Sequence, residues 1–128
     1  MQYLPHLELI DRLCIARVKH QRTNGTNQTE LDWYEEQYQH LVTELDQDRL
    51  TQLQYNINNI IQIHNQIWDL EWQLKTGVEN LLSLEEIGRR AISIRDWNNK
   101  RVSFKNAISE LFNSSFKEIK MDHLSADK

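Results

Sequence analysis

Five polar side chains stand where helix packing would normally place apolar ones. An apolar stripe with alternating spacings of three and four residues runs from Leu50 to Leu74, and His64 and Glu71 interrupt it. A second stripe, from Ile87 to Phe112, is interrupted by three more polar residues: Asn98, Arg101 and Lys105. Positions at this spacing face a partner helix, so polar groups there must be paired, hydrated or used by the protein. The sequence therefore predicts a polar seam inside a helical bundle.

A carboxylate on the first predicted helix completes the seam. Asp11 interrupts an apolar stripe that also contains Leu7, Cys14 and Val18. We expect it to provide the negative partner for Arg101 or Lys105 on the last helix.

The seam has two functional interpretations. In the first, the two basic side chains and Asn98 form a pocket for a phosphate or a carboxylate, because guanidinium and ammonium groups match such anions. In the second, Asp11, Glu71 and His64 hold a divalent metal. The interpretation as a metal site is disfavoured, because the known two-metal pattern in helical bundles needs Glu-x-x-His pairs on two helices and the sequence has none. We therefore expect no cofactor.

Each seam residue also has a structural interpretation. Arg101 and Lys105 extend to solvent if Val102 takes the inward position instead. His64 would be a hydrogen-bonded core residue, as histidines on apolar faces commonly are. Asn98 would fix the register of the helices, and Glu71 would lie at the rim of the bundle. The residues alone leave the structural and the functional interpretation open.

The helices that position the seam follow from turn and cap signals. The first helix is predicted from about Pro5 to Arg22, followed by a turn over 23–27 and a second helix capped by Thr29. A break near residues 46–49 is favoured over one continuous helix spanning 29–76, because the apolar stripe changes phase there.

The last two helices are predicted from similar signals. The third helix ends at Gly77, and Ser83 opens a fourth helix that continues to about Phe112. The short connection makes these helices antiparallel neighbours, with His64 level with Asn98 and Glu71 near Arg90. Gly88 suggests a close helix approach, and residues 116–121 are expected to form a short irregular tail.

Composition excludes several classes of protein. The 128 residues carry a net charge of −4 and no basic block, which argues against nucleic acid as a partner. The chain has no membrane-spanning stretch and no recognisable signal sequence, so we expect a cytoplasmic protein. Its one cysteine, Cys14, is expected to be a buried apolar residue. For the aromatic residues Trp33, Tyr34, Tyr38, Trp68 and Trp72, packing in the core or in a dimer is favoured over stacking on a base or a sugar.

Catalytic motifs are absent from the sequence. There is no phosphate loop, nucleophile elbow or metalloprotease helix. The paired Glu-x-x-Glu and Glu-x-x-Asp helices of an all-α nucleotide pyrophosphohydrolase are also missing.

Three segments resemble a known family. Residues 8–19 resemble the motif E-L-I-D-K-x-x-I-L-E-I-K, residues 65–71 resemble N-x-x-L-W-D-I-E, and residues 98–105 resemble N-D-x-R-A-x-x-K. The family consists of small uncharacterised bacterial helical proteins, often encoded near surface-glycan genes, with no established activity. Trp72 and Asn99 stand where the family has aspartates, which removes two carboxylates that a metal site would use.

The resemblance implies a bacterial or phage origin and a set of motif residues that largely coincides with the seam. Together they give the candidate ligand-binding residues Asp11, Lys19, His64, Asn65, Trp68, Glu71, Asn98, Arg101 and Lys105.

The expected fold is a single all-α domain, residues 1–128: an antiparallel, coiled-coil-like bundle of three or four helices with the last two long. The long helices should outrun the shorter pair and leave apolar surface for a second copy, so we expect a homodimer. The favoured function is a non-catalytic binding module for a protein partner or an anionic small molecule. The alternative is a small hydrolase or transferase acting on a phosphorylated or nucleotide-sugar substrate, with Glu71 or Asp11 as the base.

Overall fold

The chain forms four α-helices and no strand within the residues that the structure describes. A computed structural model describes residues 4–77 and 82–113; the predicted tail lies outside them. The helices are α1 (Leu4–Arg22), α2 (Gln28–Val42), α3 (Gln47–Gly77) and α4 (Leu84–Asn113). This confirms the all-α fold. None of the described helices is both long and apolar enough to cross a membrane.

The helices pair as two antiparallel hairpins of unequal length. In the short hairpin, Arg17 on α1 forms two hydrogen bonds of 2.8 Å with Glu35 on α2. In the long hairpin, Arg90 Nε on α4 donates a 2.8 Å hydrogen bond to Gln73 Oε1 on α3. At about 1.5 Å per residue the long helices reach roughly 45 Å, against roughly 28 Å for α1. The predicted length mismatch is therefore present.

The ends of the helices are set by the cap residues. The predicted break is confirmed, but it spans residues 43–46 and so lies about three residues before the predicted position of 46–49. The continuous helix over 29–76 is wrong. Asp46 explains the restart, since its Oδ1 accepts a 2.8 Å hydrogen bond from the backbone N–H of Arg49. Ser83 Oγ likewise accepts a 3.1 Å hydrogen bond from the N–H of Glu86 and opens α4 as predicted.

The turn between α1 and α2 uses left-handed backbone conformations. Asn24 and Gly25 have φ values of 55° and 81°, which asparagine and glycine adopt more readily than other residues. The second helix begins at Gln28, so the prediction that Thr29 caps it is wrong. The residue before the helix is Asn27, whose side-chain amide donates a 3.0 Å hydrogen bond to the backbone oxygen of Ala16. This contact ties the turn to α1 rather than capping α2.

The apolar core lies at one end of the long hairpin. On α3 the last buried side chain is Ile67, and on α4 the first is Ile108. The central cluster is formed by Ile10, Leu13, Cys14, Tyr38, Leu41, Leu53, Ile57, Ile60, Ile108, Leu111 and Phe112. Burial raises the pKa of the Cys14 thiol to about 12, which confirms Cys14 as an inert apolar residue. The other end of the long hairpin has no buried side chain over 68–76 or 82–107.

Gly88 does not mark a close helix approach. A Cβ added at this position would meet nothing within 4 Å. No other helix of the described chain therefore packs tightly against Gly88, and the expectation of a close approach there is wrong. A glycine inside an exposed helix costs about 1 kcal/mol relative to alanine. The packing within the chain does not explain that cost.

Candidate functional site

Asp11 is the point where three helices meet through charged groups. Its Oδ1 accepts a 3.1 Å hydrogen bond from Arg101 Nη1, and its Oδ2 accepts one of 3.5 Å from Lys105 Nζ. His64 Nε2 on α3 lies 3.9 Å from Oδ1. The Asp11 side chain is 14% exposed. The predicted pairing of Asp11 with Arg101 or Lys105 is therefore confirmed, and both cations take part in it. We call Asp11, His64, Arg101 and Lys105 the Asp11 cluster.

The basic side chains of the cluster turn inward. The side chains of Arg101 and Lys105 are only 22% and 25% exposed, whereas Val102 is 48% exposed. The alternative in which the cations extend to solvent and Val102 faces the core is therefore wrong. The reason is electrostatic, because the carboxylate of α1 compensates the cost of removing the two cations from water.

The charges of the cluster control the ionisation of Asp11. Burial opposes ionisation, but His64, Lys105 and Arg101 favour the charged form and hold the pKa of Asp11 below its usual value of 3.8. At 3.9 Å, His64 is too far from the carboxylate for a direct hydrogen bond. Two buried nitrogens beside Asp11, His64 Nε2 and Arg101 Nε, have no hydrogen-bond partner among the described residues.

The lowered pKa predicts how stability depends on pH. Ionised Asp11 stabilises the fold above its unfolded pKa, near 3.8, and this stabilisation is lost as the pH falls through the lower folded pKa. The Tm of the wild type should therefore exceed that of Asp11→Asn at pH 7, and the difference should shrink as the pH falls below 3.8. Thermal unfolding followed by circular dichroism across this range measures the gap. A gap that widens below pH 4 would contradict the assignment.

A cleft adjoins the Asp11 cluster on the face between α1 and α3. It has a volume of about 240 Å³ and is lined by Ile15, Val18, His64, Ile67, Trp68 and Glu71. A smaller groove of about 190 Å³, lined by Trp68, Glu71, Trp72 and Lys75, continues it past the end of α1. Glu71 is exposed and has no hydrogen bond or ion pair within the part of the chain that the structure describes. We call the two cavities together the α1–α3 cleft.

The predicted contact between Glu71 and Arg90 is not formed. Arg90 instead binds Gln73 at 2.8 Å and Glu86 at 2.6 Å. Gln73 takes the place that was predicted for Glu71. The two residues lie about 200° apart around α3, so Glu71 is on a different face of the helix, which faces the cleft.

Two other motif residues, Asn65 and Trp68, are held by an arginine that the sequence reasoning missed. Arg22 Nε donates a 2.9 Å hydrogen bond to Asn65 Oδ1, and Nη1 donates one of 2.6 Å to Asp69. The Arg22 guanidinium also lies 6.0 Å from the centroid of the Trp68 ring. The sequence feature that could have predicted this contact is the pair of acceptors Asn65 and Asp69, which lie four residues apart on one face of α3. They lie opposite Arg22, the last residue of α1.

The remaining candidates lie elsewhere. Lys19 Nζ lies 3.7 Å from Glu30 on α2, away from the seam. Asn98 is half-buried on α4 and makes no hydrogen bond to any described residue. Of the nine candidates, four form the Asp11 cluster, Trp68 and Glu71 line the cleft, Asn65 is bound by Arg22, and Lys19 and Asn98 are peripheral.

The donor set for a metal is not assembled. The Asp11 oxygens face Arg101 and Lys105, whereas Glu71 faces the cleft. Within residues 4–77 and 82–113, no group of three or more His, Cys, Asp and Glu side chains is arranged to hold a metal ion. The arrangement fits a structural ion cluster beside an open acidic and aromatic cleft.

Comparison of the chain with family models, curated proteins and solved structures found no match, so the resemblance to the bacterial family stays a prediction.

Proposed function

We propose that this protein is a non-catalytic helical module that binds a protein partner through the α1–α3 cleft. The Asp11 cluster then has a structural role and holds the two hairpins together. The observation that carries the proposal is the unpaired, exposed Glu71 carboxylate beside the rings of Trp68 and Trp72. Such a site matches a lysine or arginine side chain of the partner, flanked by apolar residues.

The charges argue for a cationic rather than an anionic ligand. Both basic side chains of the predicted anion pocket lie against Asp11, and each is at least three-quarters buried. The carboxylate neutralises one of their two charges and accepts one hydrogen bond from each of them. In the inner cavity of the cleft, the free charge is the negative charge of Glu71. Lys75 borders the outer groove and screens that charge in part.

The aromatic and apolar walls of the cleft would add contacts to the partner beyond the charge of Glu71. Cations are attracted to the faces of aromatic rings, most strongly to tryptophan. Trp68 already accepts the Arg22 guanidinium, at 6.0 Å from its centroid. Ile15, 40% exposed, adds apolar surface for the residues next to the cation.

Selection of peptides tests the proposal. A phage-displayed library of random peptides would be selected on the wild-type protein, and the enriched peptides would be measured by calorimetry. We expect peptides with a lysine or arginine among apolar residues, and Glu71→Gln should weaken them about tenfold, the equivalent of about 1.4 kcal/mol. Glu36→Gln, an exposed carboxylate on α2, is the matched control and should bind as the wild type does. Enrichment of acidic peptides, or equal binding by Glu71→Gln, would refute the proposal.

The enzymatic alternative rests on a different observation. The unpaired buried nitrogens of His64 and Arg101 would serve an anion that enters beside Asp11. A thermal-shift screen with divalent metals, nucleotides, nucleotide sugars and inorganic phosphate tests this, because ligand binding raises the Tm by mass action. We expect no shift. A shift in the wild type that is lost in Arg101→Gln would favour the hydrolase or transferase.

A cytoplasmic location belongs to the same proposal. It is supported by the single cysteine, which is a buried free thiol.

A further inference from the structure

A second groove runs between the two long helices, α3 and α4. It has a volume of about 460 Å³, which is within the range of known ligand-binding pockets. Its floor is the side chain of Ile63, which is only 3% exposed. The walls around this floor include Asn59, Gln62, Gln66, Trp97, Lys100 and Phe104. We call this cavity the α3–α4 groove.

The α3–α4 groove is separate from the sites described above. It shares no lining residue with the α1–α3 cleft. Gln62 and Glu71 lie nine residues apart on α3, which at about 100° per residue places them on opposite sides of the helix. On α4, Lys100 lies about 100° from Arg101, which binds Asp11. The groove is therefore an independent surface of the long hairpin.

The pairing of the long helices decides which groups meet in the groove. The antiparallel register, fixed by the hydrogen bond between the two helices, brings Trp97 level with Gln66 and Phe104 level with Asn59. Lys100 lies between the two rings on the same side of α4. Its Nζ is 4.7 Å from the centroid of the Trp97 ring. The groove thus has an aromatic ring toward each end and a cation near its middle.

The charge in the groove is positive. Within residues 4–77 and 82–113, no acidic residue lines the groove and Lys100 forms no ion pair. Asp96, one turn before Lys100, lies 3.5 Å from Arg95 instead. On the opposite helix, residues 50–68 contain no Asp, Glu, Lys or Arg. An anionic group in the groove would therefore meet an ammonium group with no carboxylate beside it.

The carboxamides of α3 provide hydrogen-bonding groups that suit a peptide backbone. Gln62 and Gln66 are exposed, and neither forms a hydrogen bond with a described residue. Each carboxamide has both a donor and an acceptor, so it can bind the N–H and the C=O of a peptide chain. The two residues are about 6 Å apart along the helix axis, close to the roughly 6.6 Å between residues that face the same side of an extended chain.

We propose that the α3–α4 groove binds an extended segment of a partner protein, with an aspartate or glutamate of that segment against Lys100. The carboxamides of Gln62 and Gln66 bind the backbone of the segment. Its other side chains pack against Trp97 and Phe104. The two rings are about 10 Å apart along α4, enough for three residues at about 3.3 Å each. The proposal goes beyond the binding of a cationic segment in the α1–α3 cleft, because it adds a second site of opposite charge.

Selection of peptides on a variant that lacks the cleft carboxylate tests this site by itself. A phage-displayed library of random peptides would be selected on Glu71→Gln protein, so that failure of this site and failure of the cleft can be told apart. We expect the enriched peptides to carry an aspartate or glutamate beside apolar residues. Adding Lys100→Gln should weaken them about fivefold in calorimetry, as the loss of an exposed ion pair does.

Lys75→Gln is the matched control for the charge. Lys75 is an exposed lysine at the outer groove of the cleft, and its replacement should leave the binding of the acidic peptides unchanged. Equal binding by the Lys100→Gln variant would overturn the proposal. So would enrichment of basic peptides, of peptides with apolar residues at helical spacing, or of no peptide at all.

Backbone esters test the extended conformation. Replacing one peptide bond of a selected peptide by an ester removes a single N–H donor. Esters at alternate positions should weaken binding to the parent protein, because the carboxamides contact every second residue. The same esters should cause no further loss in a variant with both Gln62→Leu and Gln66→Leu, since both changes remove the same hydrogen bonds. Additive losses would contradict the proposed arrangement.

Discussion

Asp11→Asn is expected to lower the free energy of unfolding at pH 7 by about 3 kcal/mol, the range measured when one member of a buried ion pair is removed. The asparagine keeps the size of the side chain but leaves Arg101 and Lys105 without a counter-charge. Both cations are at least three-quarters buried, so water compensates them only in part. In a domain of this size the loss corresponds to a Tm decrease of about 10 °C. Chemical and thermal unfolding measure it.

Two comparisons show whether the loss comes from unpaired charge. Replacing Asp11, Arg101 and Lys105 together by leucine should recover most of the stability, because an apolar set removes the cost of burying charge. Glu8→Gln, which breaks the exposed pair between Glu8 and Arg12 on the same helix, is the surface control and should change the Tm little. If Asp11→Asn were as mild as Glu8→Gln, the structural role of the cluster would be wrong.

Ile60→Ala is expected to cost about 4 kcal/mol, as substitutions that open a cavity in a packed core do. Ile60 is fully buried on α3 and belongs to the central cluster formed by all four helices. Leu74→Ala removes the same number of carbon atoms from the same helix. Because Leu74 is only half-buried, past the end of α1, it should cost about 1 kcal/mol.

Urea unfolding of the two variants measures this contrast at a concentration where the protein is monomeric. The m-values should match that of the wild type, which makes the midpoints directly comparable. Equal losses at the two positions would mean that the core extends along the whole long hairpin. That result would contradict the uneven burial described above.

Local signals in the sequence predicted the helices well, because the chemistry that ends a helix is local. The phase change after Leu45 predicted the break, and Asp46 then provides the cap that starts α3. Ser83 was identified from its position before two glutamates, and its hydroxyl caps α4. The prediction of Thr29 as the cap failed because two residues only two positions apart, Asn27 and Thr29, are both suitable cap types. Only the path of the turn decided between them.

The contacts of the seam were predicted less evenly. The periodicity correctly placed Asp11, Arg101 and Lys105 on faces that point toward one another. It did not predict Arg22, whose contacts with Asn65 and Asp69 join residues distant in the chain. It also placed Glu71 beside Arg90, which binds Gln73 and Glu86 instead.

The sequence by itself determined an all-α bundle of three or four helices, the approximate ends of those helices and a set of polar residues on their inner faces. Only the tertiary structure decided that Asp11 takes both basic side chains while Glu71 is left free in a cleft. Periodicity specifies the face of a helix on which a residue lies, but not how far the helix slides along its neighbour. A slide of one turn is about 5.4 Å, which is more than the reach of a hydrogen bond. The packing of apolar side chains in three dimensions sets that slide, and it also sets where α1 ends relative to Glu71.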